Sequence, residues 1–142
     1  MKNRFLFLMV LLCLGCLQAE TPIILRNLKL NRQDTQVVAY PGEKLRGIVN
    51  MYCAVDDLDP HSLYQIVIGY KEFGAQKCIF HEYGYRCKKE AILSFYLDAP
   101  QKPGGYEVLC RIEQAGSKLE AMQNWEEASE MPVTIGRVFV TQ

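Results

Sequence analysis

Between Ile23 and Val140 the chain is a succession of short runs in which apolar side chains recur at every second position, separated by Pro, Gly and Asp turns. A repeat of two is that of extended backbone, whose successive side chains point to opposite faces. Runs of this kind bury one face each and need a second layer to cover it, which points to stacked sheets. The clearest are Val49, Met51, Cys53 and Val55, and then Tyr106, Val108, Cys110 and Ile112. Strands are expected over 23–30, 35–39, 45–55, 63–70, 77–81, 91–97, 106–112 and 133–140. Ile66-Val67-Ile68 is apolar on both faces and reads as the middle of a central strand. Tyr40-Pro41-Gly42-Glu43 has the order of a type II turn.

One segment departs from this repeat. Ser117-Lys118-Leu119-Glu120 is a capping box, and Ala121, Trp125 and Ala128 follow at helical spacing. Pro132 ends the pattern. The expectation is an all-β fold, an Ig-like antiparallel β-sandwich, with one short helix over about 117–130 before the last strand. Trp125 reads as a core residue that packs this helix on the sheet.

The first residues are of another kind. Lys2 and Arg4 precede an uncharged apolar run from Phe5 to Leu14, then Gly15, Ala19 and the polar Glu20. That is the layout of a cleaved signal peptide over 1–19. The run is shorter than the about 20 residues a membrane-spanning helix needs. Cys13-Leu14-Gly15-Cys16 also resembles a bacterial lipobox, with Cys16 as the residue that would carry the lipid. Cys13 stands where that motif has leucine. Cys16 is thus either discarded with the leader or kept as an anchor. Residues 20–142 are expected to form a single exported domain, secreted, periplasmic or lipid-anchored in the cell envelope. Without Lys2 and Arg4, 14 basic residues face 16 acidic ones. That balance lacks the basic stripe a nucleic-acid partner requires.

Of the 6 cysteines, Cys53, Cys78, Cys87 and Cys110 lie beyond the leader. An even number in an exported chain reads as a disulfide frame. The favoured pairing is Cys78–Cys87 and Cys53–Cys110, each bond contributing about 2–4 kcal/mol. The competing reading is a zinc site made by these thiols and His81. No CxxC knuckle supports it, so no metal and no cofactor is expected.

Several pieces together resemble a family of small exported bacterial β domains. They are Gln65-Ile66-Val67-Ile68-Gly69, Cys78-Ile79-Phe80, Ala99-Pro100 with Pro103-Gly104-Gly105-Tyr106, Glu120-Ala121 with Trp125, and Thr134-Ile135-Gly136-Arg137-Val138. The resemblance spans most of residues 20–142 and implies a fold and an exported address, without an activity. The family pattern has further cysteines before Gln65 and near Glu120; this chain has none there.

Little in the chain calls for catalysis. No G-x-S-x-G is present, and Ser62, Ser94, Ser117 and Ser129 fall at turn, strand or helix positions. His61 lies in a polar loop. Asp56, Asp57 and Asp59 lack the Gly and distal Glu of a calcium loop. The most distinctive segment is Cys78 to Cys87, which encloses Phe80, His81, Tyr83 and Tyr85. Tyrosine gives large amphipathic contact at low entropic cost, so this reads as a candidate binding loop. The alternative is that Phe80 and one tyrosine are core and the rest cover a sheet edge. The functional expectation is a non-enzymatic exported module that binds a protein or glycan. A structural or assembly protein of the cell envelope and an enzyme are the competing classes.

Overall fold

The computed structural model describes residues 22–125 and 133–142. Eight strands make two packed sheets, an all-β sandwich. The strands are β1 (Ile23–Leu30), β2 (Gln36–Ala39), β3 (Lys44–Cys53), β4 (Leu63–Tyr70), β5 (Gly74–Tyr83), β6 (Glu90–Asp98), β7 (Gly104–Glu113) and β8 (Val133–Val140). One sheet runs β1-β3-β6 and the other β2-β8-β7-β4-β5. The leader expected over 1–19, with Cys16, lies outside the described residues.

The alternation expected from sequence is seen most cleanly in β3. Leu45, Gly47, Val49, Met51 and Cys53 are buried, and the residues between them are not. The pattern of β1 is broken midway. Ile23 is buried at an odd position, Leu28 and Leu30 at even ones. The register against β3 shifts between Arg26 and Lys29, and Asn27 sits at φ 56°. An extra residue in a strand flips every later side chain to the other face, and Asn tolerates the left-handed conformation this needs.

Leaving β1, the chain crosses to the other sheet through Asn31 and Arg32, both at positive φ. There β2 lies parallel to β8, from Gln36 opposite Arg137 to Ala39 opposite Val140. Among the described residues this is the one parallel pair in a framework otherwise antiparallel. The expected turn follows β2: Gly42 has φ 72°, and the Glu43 N–H donates to Tyr40 O at 3.0 Å.

Between the sheets lie two adjoining clusters. One is centred on Leu30, Leu45, Val49, Ile68, Tyr70 and Val138, the other on Ile23, Met51, Cys53, Tyr64 and Ile66. β4 runs through both and is buried on its other face as well. The reason is the segment after β7. Ala115, Ala121 and Trp125 pack over Val67 and Leu109, which gives the five-stranded sheet a third layer. Trp125 is therefore core, as its helical spacing implied.

Helix α1 (Lys118–Gln123) begins where the capping box places it. The Glu120 N–H donates to Ser117 Oγ at 3.1 Å. The Glu120 carboxylate accepts from the Gly116 N–H at 2.8 Å, one residue before the position the motif usually satisfies. Asn124 is the C-cap, so the helix is shorter than the span of about 117–130 read from sequence. The part of that span over 126–130 lies outside the described residues.

Two polar side chains are buried under this layer. Gln65 clasps the backbone of Ala115. Arg111 donates from Nη1 to the carbonyls of Asn124 and Trp125, at the end of the helix where orphan acceptors collect. Its Nε lies 2.6 Å from Glu113 Oε1. Positive charge at a helix C-terminus is favourable, and burial strengthens the contact.

Candidate functional site

The segment between Cys78 and Cys87 does not form one loop. β5 continues to Tyr83, so Phe80 and His81 are strand residues opposite Ile66 and Gln65. Phe80 packs against the inner cluster around Met51 and Tyr64. His81 lies half-buried beside Gln65 on the face that carries α1. Only Tyr83 and Tyr85 project, 44% and 62% exposed.

A tight 3-10 turn, Gly84–Arg86, follows β5 and holds these two rings. They stack with centroids 5.8 Å apart and planes 15° from parallel. The Arg86 guanidinium lies 5.6 Å from the Tyr85 centroid, within cation–π range. The turn is docked on the loop after β3. The Gly84 N–H donates to Ser62 O at 2.9 Å, and the Tyr85 N–H to Pro60 O at 3.2 Å. Gly84 is required here, because a Cβ would lie 2.0 Å from Asp59 O.

Asp59 in turn braces its own loop. Its carboxylate accepts from the His61 N–H at 3.0 Å and from Ser62 Oγ at 2.7 Å. The His61 N–H, followed by the Ser62 hydroxyl, holds the Asp59 carboxyl below the usual carboxylate range. The Asp59 N–H donates to the buried Tyr64 hydroxyl at 3.0 Å. A chain of contacts thus runs from the core through Tyr64 and Asp59 to the turn. Asp56 and Asp57 stand apart on an exposed 3-10 turn, Val55–Asp57. Among the described residues no group of three His, Cys, Asp or Glu side chains could hold a metal ion.

The cysteines differ from the expected pairing. All four are free thiols, and the two that adjoin one buried cluster are Cys53 and Cys87; the Cys87 thiol donates to Tyr83 O at 3.5 Å. Cys78 lies opposite Val67, on the α1 face of its sheet. Its thiol donates to Phe80 O at 3.1 Å. Cys110 lies opposite Ile68, on the inner face. Burial raises every one of these thiols. Cys53 is pushed up to about 11, with Cys87 adding to the effect, and Cys110 to about 12. Cys53 and Cys110 both face inward, but Cys53 lies in the cluster of Ile23 and Tyr64, whereas Cys110 lies opposite Ile68 of the other cluster. Cys78 faces the layer that carries α1, and Cys87 packs on the inner cluster.

The chain matches no protein-family model, and no curated protein matches it. Of the residues singled out from sequence, Tyr83 and Tyr85 come together on the surface; Phe80 and His81 do not join them. Gly84, which lies within the enclosed segment, and Arg86, which was not singled out, complete the site. The signal for both was their position, a glycine between two tyrosines and a cation directly after them.

Proposed function

We propose that this is a non-enzymatic exported module that binds a macromolecular partner through the Tyr83–Tyr85 stack, at the cell envelope or outside the cell. The observation that supports this reading is the pairing of two exposed, mutually stacked tyrosines with a backbone turn docked on the sandwich. Large exposed aromatics held in one arrangement lose little entropy on binding. Tyr and Arg are also the side chains enriched at the energetic centres of protein interfaces. The presence of Arg86 over Tyr85 favours a protein partner over a glycan, because a sugar stacks on a free ring face.

The test compares the wild-type protein with Y83A/Y85A, each immobilised and exposed to candidate protein extracts and to a glycan panel. The expected result is a ligand retained by wild type and lost by the variant, at an unchanged melting temperature. Equal capture by both proteins overturns the reading, and so does a variant that loses its fold, since the rings would then be core. Glycan capture competed by free sugar would move the proposal to the glycan class.

A further inference from the structure

The geometry points to a disulfide between Cys53 and Cys87 that rivets the aromatic turn to the end of the three-stranded sheet, with Cys78 and Cys110 remaining thiols. Cys53 is the last residue of β3, and its N–H donates to Lys89 O at 2.8 Å. That bond extends the β3–β6 ladder one step past Tyr52 and Glu90, toward Cys87. The Cys87 side chain packs on the same buried cluster that contains Cys53, so the two cysteines share one end of the inner core.

The other two cysteines have no such neighbour. Cys78 and Cys110 occupy opposite faces of the five-stranded sheet, one beside Lys118 of α1 and one between the sheets. A pairing of these two would have to pass through the sheet itself.

The oxidant is a small-molecule disulfide, RSSR. Cys87, half-buried where Cys53 is only 4% exposed, reacts first. Its thiol loses a proton to water, and the thiolate attacks one sulfur of RSSR. The RS–SR bond breaks and one thiolate leaves with the electron pair. Cys53 then loses its proton and attacks Cys87 Sγ, which expels the second thiolate. The protein dithiol gives up two electrons, and RSSR is reduced to two RSH. A cleft lined by Pro22, Ile24, Tyr52, Cys53, Lys89 and Glu90 opens at Cys53. Because burial raises both thiols, the exchange runs slowly at neutral pH and quickens by about tenfold per pH unit as pH rises.

The test is oxidation of the intact protein with oxidised glutathione at pH 8.5, followed by alkylation in denaturant and a non-reducing protease digest. The expected product is one cross-linked peptide pair containing Cys53 and Cys87, with Cys78 and Cys110 both alkylated. A Cys53–Cys110 or Cys78–Cys87 peptide overturns the inference, as does full alkylation of all four thiols. C53S and C87S should each abolish the cross-link. Should either fail to fold, C78S/C110S decides the matter: its cross-link should form at the wild-type rate, and its absence would sink the assignment.

Discussion

The side-chain amide of Gln65 is hydrogen-bonded in both directions to the backbone of Ala115. Its Nε2 donates to Ala115 O at 2.6 Å, and its Oε1 accepts from the Ala115 N–H at 2.8 Å. Gln65 is fully buried in β4, so this clasp fixes the start of the third layer to the middle of the sheet. Gln65→Leu keeps the volume and removes both bonds. The backbone donor and acceptor of Ala115 would then be buried without partners. The expected loss is about 2–4 kcal/mol, read from the midpoint of urea unfolding.

Arg111 holds the other end of the same layer, from the sheet to the carbonyls of Asn124 and Trp125. Arg111→Met retains much of the stem and removes the charge. The expected cost is about 3 kcal/mol, because the carboxylate of Glu113 stays in place beside an apolar chain. Trp125 reports the event directly: its fluorescence should shift to the red in the variant as the indole gains water.

Gly84→Ala tests the docking of the aromatic turn. The added methyl meets the backbone of Asp59, which cannot move away as a side-chain tip could. The expected destabilisation is about 1–3 kcal/mol. Amide exchange should quicken at Gly84 and Tyr85, whose N–H groups are the docking donors, with the central strands unaffected. Partner capture through Tyr83 and Tyr85 should fall with it.

Asp59 gives the molecule an acid dependence of definite sign. Its folded carboxyl titrates below the ordinary 3.8, so the bonds to His61 and Ser62 contribute fully above that value. The contribution is lost as pH falls through the folded value. Carboxyl-carbon NMR should place the Asp59 midpoint below 3.8. In D59N that part of the acid dependence should vanish, and an unshifted Asp59 midpoint would contradict the role assigned to this loop.

The sandwich itself was legible from spacing. Every strand read from sequence has its counterpart, and those over 23–30, 63–70 and 133–140 match in both bounds. β5 extends past the expected 77–81 because Gly74, Ala75, Glu82 and Tyr83 take ladder partners from β4, which local composition does not report. Gln65 and Arg111 were passed over because a polar residue in a strand ordinarily faces water. Here it faces a layer supplied by a segment some fifty positions away for Gln65, between Ala115 and Trp125. The cysteine pairing was illegible for a related reason. Periodicity assigns a face to each cysteine, whereas a bond needs the same face and the same end. The site was half legible: two tyrosines could be picked out, but the glycine that docks them is explained only by the backbone of Asp59.

The parallel pairing of β2 with β8 also dictates when the fold can be finished. β2 has one neighbour in its sheet, and that neighbour begins at Val133. While the chain is still growing on a ribosome, residues 36–39 have nothing to join. Their companion strand is still to be made or still inside the exit tunnel. Pairings so distant along the chain are slow to form. Completion of this edge of the sheet therefore waits until residues 133–140 have been made.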